Sequence, residues 1–214
     1  MEKMLMGRGA EDKFHAHLFE LDAAAARAVQ AGGCVRPECG GRLDVANYAR
    51  KVRGIRGVEE TAGHYELRFS LCCAVRGCRR RATPPSVRFL GRFVYAMRVM
   101  VAWAASRTPS SSSPSRTPSP SRTPSPSPLH APSRQTTKRW QGYWAGRVGG
   151  DASMALLVAG LLVQAAPPAE NVVAALMRSA RGTPAERTVA THRLLAPLTT
   201  ATVPPERARS AMSG

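Results

Sequence analysis

Two cysteine pairs with identical spacing constrain this chain more than any other feature of its sequence. Four residues separate Cys34 from Cys39, and four separate Cys73 from Cys78. Two tight turns that each carry a thiolate at both ends can supply the four sulfurs of one tetrahedral zinc ion. Four thiolates close the coordination, so such a metal holds the fold and leaves no position for an activated water. We therefore predict a structural Zn²⁺ site at Cys34, Cys39, Cys73 and Cys78.

The fifth cysteine leaves one ligand undecided. Cys72 directly precedes Cys73, and we prefer Cys73 because it reproduces the gap of the first pair. The alternative for the whole set is that these are ordinary buried thiols, which favour protein interiors. Disulfides are not expected, because residues 1–10 carry charge and no apolar segment of a secretory signal follows them. We expect a cytoplasmic protein with reduced cysteines.

An amphipathic helix is predicted before the first cysteine pair, within residues 1–33. Its apolar positions recur at intervals of three or four residues: Phe14, Leu18, Leu21, Ala25 and Val29. This spacing places them along one stripe of an α-helix, and Gly32-Gly33 is expected to end it. We interpret His15 and His17 as exposed polar residues without a chemical role.

Two short strands are predicted within a zinc ribbon at residues 34–105. One follows the first cysteine pair and the other leads into the second pair. Apolar and polar residues alternate over residues 64–71, which is typical of a half-buried strand. The face expected to be buried consists of Tyr65, Leu67, Phe69 and Leu71. Leu43 and Val45 indicate a shorter strand. A β-hairpin that joins the two metal-binding turns is the simplest assembly, and an amphipathic helix should follow over residues 93–104.

The positive charge of the chain is concentrated around the predicted ribbon. The net charge is +17, with 14 basic and five acidic residues in 34–105 and seven basic and no acidic residues in 106–150. A localised positive field is typical of phosphate binding, although solvated surface charge is the simpler alternative. The candidate nucleic-acid contacts are Arg50, Lys51, Arg53, Arg79, Arg80, Arg81, Arg88 and Arg92 near the ribbon, with Arg134, Lys138 and Arg139 further along.

A low-complexity tract follows the ribbon. The sequence S-R-T-P-S-P occurs at 115–120 and again at 121–126. Proline at this density opposes helix and sheet, and almost no apolar groups are present to be buried. We predict a disordered Ser/Pro/Arg linker over residues 106–132, which could be a kinase substrate or an inert repeat expansion.

The C-terminal part is predicted to be all-α over residues 133–198. Ser133 is a candidate N-cap for a basic helix through Trp144, and two further helices are expected over 154–166 and 169–179. Thr183, Pro184 and Glu186 form the pattern of a capping box, with the helix ending near residue 197. Residues 199–214 are expected to form a disordered tail. The predicted fold class is therefore α+β: a zinc ribbon flanked by helices, a linker and a helical region.

The two cysteine segments resemble a known group of proteins. The stretches C-G-G-R-L-D-V-A-N-Y-A-R-K-V-R-G and F-S-L-C-C-A-V-R-G-C-R-R-R-A-T-P-P-S-V-R-F-L-G-R-F-V-Y are similar to uncharacterised bacterial proteins related to the zinc-ribbon regions of transposases. The resemblance covers about residues 20–100. It implies a helix-turn-helix after the ribbon, whose Thr-x-x-Arg-Trp element is similar to Thr136, Thr137, Arg139 and Trp140. Here the Ser/Pro repeat occupies the place of that motif's first helices, so the basic helix would be its remnant.

These observations favour a binding protein. The leading hypothesis is a zinc-ribbon DNA-binding protein, accessory to or derived from a transposable element and associated with the nucleoid; RNA is a second candidate partner. The alternatives are a non-catalytic RNA- or protein-binding adaptor and a transposase fragment. We expect no enzyme activity, because the acids after residue 79 lie in predicted helices or the tail and form no strand-borne carboxylate triad. No membrane span is expected from apolar runs of only 13 residues, and no small-molecule substrate is indicated.

Overall fold

The fold was obtained as a computed structural model that describes residues 8–53, 63–91, 93, 95–105, 133–144, 146 and 172–213. The chain divides into two compact units, one formed by Met1–Met100 with Ala180–Gly214 and the other by Val101–Ser179. The predicted α+β class is confirmed. The linker predicted at 106–132 and the helix predicted at 154–166 lie outside the described residues.

The described elements are short apart from the first helix. In chain order they are α1 (Arg8–Ala31), β1 (Leu43–Val45), β2 (Tyr48–Ala49), β3 (Leu67–Arg68), β4 (Leu71–Cys73), β5 (Arg81–Ala82), α2 (Met97–Ala105), α3 (Arg134–Tyr143), α4 (Val172–Ser179), α5 (Pro184–Leu195), a 3₁₀ turn (Ala196–Thr199) and α6 (Pro205–Ser213). None of the helices within these described ranges is long and apolar enough to span a membrane.

Helix α1 forms because its apolar stripe is covered on one side. Leu18, Ala25 and Val29 are buried, as the spacing predicts. The chain leaves the helix through Gly33, whose φ of +69° is readily adopted only by glycine. The prediction for His15 was wrong: its ring is buried, and its Nδ1 lies 2.8 Å from the Tyr65 hydroxyl.

Three strands bring the two cysteine segments together. The antiparallel sheet has the order β1-β4-β5 and pairs Leu43 with Cys73 and Leu71 with Ala82. Because β1 follows the first cysteine turn and β4 leads into the second, this pairing sets the turns side by side. The pairing of β1 with β4 thus joins the two cysteine turns as predicted, and β5 adds a third strand.

The strand predicted over residues 64–71 is interrupted. It splits into β3, which pairs with β2 in a separate two-stranded sheet, and β4. Between them the N–H of Ser70 donates to Asn47 Oδ1 at 3.0 Å instead of to a neighbouring strand. The alternation therefore fails: Arg68 and Ser70 are buried, whereas Leu67 and Phe69 are only partly so.

A buried ion pair ties α1 to the segment after β5. Asp22 and Arg88 are both fully buried, with Arg88 Nε 2.8 Å from Asp22 Oδ2. The same carboxylate accepts hydrogen bonds from Ser86 Oγ at 2.5 Å and from the Val87 N–H at 2.6 Å. Arg88 also donates to the carbonyl oxygens of His64 and Leu67. Every polar nitrogen of this guanidinium is thereby used inside the protein.

The prediction of a disordered tail at 199–214 is wrong. Residues 205–213 form α6, which packs on α1 and buries Ala208 and Met212. Arg207 donates to the carbonyl oxygens of Val29 and Gly33 at 3.0 Å each, and so closes the carboxyl end of α1. The helical region predicted as one block at 133–198 is also divided: α5 belongs to the first unit and α3 and α4 to the second.

Two helix beginnings agree with their sequence signals. Thr183 Oγ1 accepts from the Glu186 N–H at 3.3 Å, and Glu186 Oε2 accepts from the Thr183 N–H at 2.7 Å, which completes the predicted capping box of α5. In the second unit, Ser133 caps α3. Trp140 of α3 is fully buried and lies edge-on to Trp103, with ring centroids 5.3 Å apart.

Candidate metal centre

The four predicted cysteines converge on one point. The Sγ atoms of Cys34 and Cys78 are 3.6 Å apart, as are those of Cys39 and Cys73, and all four lie within 4.8 Å of one another. Sulfurs bound to tetrahedral zinc at about 2.3 Å are about 3.8 Å apart. The spacing therefore suits a metal ion such as zinc. Cys72 lies outside the cluster, with its Sγ 3.5 Å from the Arg79 carbonyl oxygen.

The two turns use the same backbone hydrogen bonds, which explains their equal spacing. In each turn the N–H of the first cysteine donates to the carbonyl seven residues later, and the N–H of the second to the carbonyl three residues earlier. These bonds are Cys34 to Gly41 (2.8 Å), Cys73 to Arg80 (2.9 Å), Cys39 to Arg36 (3.1 Å) and Cys78 to Val75 (3.0 Å). The sequence thus encodes one turn twice, and β1 and β4 pair the two copies.

Both turns leave the second cysteine through a left-handed residue. Gly40 has φ +56° and the equivalent Arg79 has φ +47°. Only the second is costly, because a side chain disfavours this conformation. A further glycine is needed for space: a β-carbon on Gly41 would lie 2.6 Å from Val75 Cγ2 and 2.9 Å from Cys73 Sγ.

The thiols of the cluster differ in acidity. A hydrogen bond from the Arg80 backbone is the main cause that lowers the pKa of Cys78 to about 7. For Cys73, the bond from the Val75 backbone favours the thiolate, but burial and the three neighbouring thiols together raise the pKa to about 12. Burial is also the main cause that raises the pKa of Cys34. Four sulfurs this close can all ionise only when a cation sits among them.

The cluster is continuous with the hydrophobic core. Cys34 and Cys73 are buried in one group of side chains contributed by α1, the three-stranded sheet, α6 and the segment that leads into α6. The other buried members are Val29, Leu43, Leu71, Ala82, Val203 and Ala208. A metal bound here would therefore connect elements that are far apart in the sequence.

The second cysteine turn presents unpaired positive charge. The predicted contacts Arg79, Arg80 and Arg81 are exposed, and so is Arg76, which the sequence reasoning missed although it lies between the two cysteines. None of these four forms an ion pair with a described residue. On the first turn, by contrast, Arg36 pairs with Glu38 at 3.4 Å.

The other predicted contacts are scattered. Lys51 and Arg53 are exposed, whereas Arg50 is half-buried and donates to the Phe93 carbonyl oxygen. The prediction that Arg88 contacts nucleic acid is wrong: its side chain is fully buried in the ion pair with Asp22, so no phosphate can reach it. Arg92 lies outside the described residues. Exposed side chains on α3 of the second unit are Arg134, Lys138 and Arg139.

Comparisons with models of protein families, with curated proteins and with solved structures found no match for this chain. The resemblance to transposase-associated proteins thus remains an expectation from the sequence.

Proposed function

We propose that the chain is a non-catalytic nucleic-acid-binding protein whose ribbon is held by one structural zinc ion. The observation that carries the proposal is the cluster of four sulfurs within 4.8 Å on two matched turns. The chemistry of the donors supports zinc over harder cations, because thiolates are soft ligands and Ca²⁺ and Mg²⁺ take oxygen. Four protein ligands leave no open coordination position, which is why we assign the metal a structural role.

The partner is proposed from the charge beside the metal. Arg76, Arg79 and Arg80 lie on a turn that the metal would make rigid, and Arg81 follows in β5; all four are exposed and form no ion pair with a described residue. Cations held on a rigid turn lose less conformational entropy when they meet phosphates. We propose duplex DNA as the preferred partner, with a nucleoid location and a link to a mobile element following from the sequence resemblance. RNA or protein binding is the alternative.

Metal content tests the first half of the proposal. Native mass spectrometry of the purified protein should give one zinc per chain. Cys39→Ser should lose it, because three remaining thiolates bind far more weakly, whereas the matched control Cys72→Ser should keep it. A protein that is fully ordered without any metal, or a Cys72→Ser variant that loses zinc while Cys39→Ser retains it, contradicts the assignment.

Salt-dependent binding tests the second half. Fluorescence anisotropy with a labelled duplex should show affinity that falls steeply with salt, by a slope of about 0.9 per phosphate contact in a log–log plot. Replacing Arg79, Arg80 and Arg81 together with Gln should reduce the slope by about 2–3. Replacing the ion-paired Arg36 and Arg42 should change it less. Structured RNA as competitor decides between the nucleic acids, and no binding to either at low salt contradicts the proposal.

A further inference from the structure

Three guanidinium groups surround a single buried phenyl ring. The Cζ atoms of Arg50, Arg68 and Arg88 lie 5.3, 5.7 and 5.1 Å from the centroid of the Phe89 ring. Arginine stays protonated in proteins, so each contributes a full positive charge. The ring faces of Phe89 compensate these charges only in part.

Among the described residues, one buried carboxylate lies at this cluster, and its oxygens already accept hydrogen bonds. Asp22 is the one buried carboxylate in the described part of the chain, and it accepts from Arg88, Ser86 and Val87. Counting only the described buried carboxylate against the three guanidinium groups leaves an excess of two positive charges. Burial lowers the pKa of Arg68; Asp22 opposes this effect, whereas Arg88 and Arg50 add to it.

Arg68 is the buried guanidinium with N–H donors that lack acceptors among the described residues. Its side chain is 1% exposed, and its Nη2 donates a hydrogen bond to the Pro84 carbonyl oxygen at 2.9 Å. Its Nε and Nη1 have no hydrogen-bond partner among the residues that the structure describes. A buried charged donor without an acceptor is costly, and arginine cannot relieve the cost by losing its proton.

The strand register places Arg68 on the same face of the β2–β3 sheet as Arg50. Tyr48 pairs with Arg68 in the β2–β3 ladder, so both side chains lie on the same face, and Arg50 follows two residues later on that face. Arg50 is half-buried and Tyr48 is 37% exposed, so this face reaches solvent at these two residues, whereas Arg68 beside them is buried. Glu66, opposite Arg50 through the bond from the Arg50 N–H to its carbonyl oxygen, is exposed and forms no ion pair with a described residue.

We propose that Arg68 and Arg50, with the Tyr48 hydroxyl at the rim, form a binding site for a phosphate group. Arg68 supplies the N–H donors of Nε and Nη1, and Arg50 adds a second guanidinium whose Nη2 already donates to the Phe93 carbonyl oxygen. Paired guanidinium groups of this kind match the oxygens of a tetrahedral oxyanion. The phosphate comes either from a nucleic-acid backbone or from a free phosphate or phosphate monoester. The site does not depend on the zinc ribbon's binding to DNA, because it lies on a different sheet.

Thermal unfolding of the zinc-loaded protein tests the site. With inorganic phosphate at about 10 mM, Tm should rise by at least about 3 °C relative to chloride of equal ionic strength. Arg68→Met should abolish this phosphate-specific rise, and its Tm in chloride should be no lower than that of the wild type, because an uncompensated charge is removed. Arg53→Met, which changes an exposed cation on the same segment, should keep the full rise.

A second measurement covers the case in which Arg68→Met does not fold. Isothermal titration of phosphate into Arg50→Met should give at least about tenfold weaker binding than into the wild type, and Glu66→Gln should bind more tightly. An equal Tm of the wild type in phosphate and chloride, or unchanged phosphate affinity in Arg50→Met, overturns the proposal.

The source of the phosphate is decided by comparing ligands. Dimethyl phosphate represents the nucleic-acid backbone, and inorganic phosphate represents the free ion or a monoester. Stabilisation by both assigns the site to a backbone, and stabilisation by inorganic phosphate alone assigns it to a small phosphate. If duplex DNA does not bind while inorganic phosphate still stabilises the protein, the DNA proposal fails and the phosphate site stands.

Discussion

Replacing Asp22 with alanine should destabilise the protein strongly. The Arg88 guanidinium is fully buried over the rings of Phe19 and Phe69, at 4.7 and 5.3 Å from their centroids. Without Asp22 it keeps its charge and loses its counter-ion, a situation that typically costs about 3–5 kcal/mol. The Ser86 hydroxyl and the Val87 N–H lose their acceptor as well. We therefore expect a loss of at least about 4 kcal/mol, a large part of the stability of an ordinary domain.

Urea denaturation followed by circular dichroism measures this loss. Asp44→Ala is the matched control, because Asp44 pairs with Arg42 at 3.0 Å on the surface, where the two side chains are 49% and 80% exposed. It should change the free energy of unfolding by less than about 0.5 kcal/mol. The double variant Asp22→Ala/Arg88→Met removes the stranded charge, so a coupling energy of at least about 2 kcal/mol is expected. Additive losses, or an Asp22→Ala variant within about 1 kcal/mol of the wild type, refute the reasoning.

Three further predictions concern single positions. Arg79→Gly should raise the free energy of unfolding by about 0.5–1 kcal/mol in urea melts, because glycine tolerates φ +47°, whereas Arg80→Gly should not. Gly41→Ala should lower zinc affinity in a competition titration with a chelator, since its β-carbon would press on Cys73 Sγ at 2.9 Å, and Gly63→Ala, which has free space, should not. Burial lowers the pKa of His192 to about 3, and neither of its ring nitrogens has a hydrogen-bond partner of normal geometry in the described part of the chain. Below about pH 6.5 the unfolded chain therefore binds a proton that the folded chain does not. At about pH 5 the free energy of unfolding in urea melts should fall by about 2 kcal/mol more for the wild type than for His192→Leu, and equal falls would contradict this.

Local signals were predictable from the sequence. The stripe of α1, the capping box at Thr183 and the repeated cysteine spacing each depend on residues within one turn or one helix. The choice of Cys73 over Cys72 followed from the same repetition, and the sulfur geometry agrees with it.

Long-range pairing was not predictable. Arg88 resembles any surface arginine until its partner Asp22, 66 residues earlier in the chain, is known. Helix α6 has only two buried side chains, Ala208 and Met212, so its composition is that of a polar tail. Arg68 is buried in place of Leu67 beside a break in the strand, where Asn47 from another segment accepts from the Ser70 N–H.

The bond between Arg207 and Gly33 joins two residues of the first unit that are 174 positions apart, and the whole of Val101–Ser179 lies between them in the sequence. The entropy lost in joining the ends of such an insertion grows only with the logarithm of its length, so doubling the insertion costs about 0.6 kcal/mol. Gain or loss of Ser-Arg-Thr-Pro copies during evolution should therefore hardly change the stability of the first unit, which contains the four clustered cysteines.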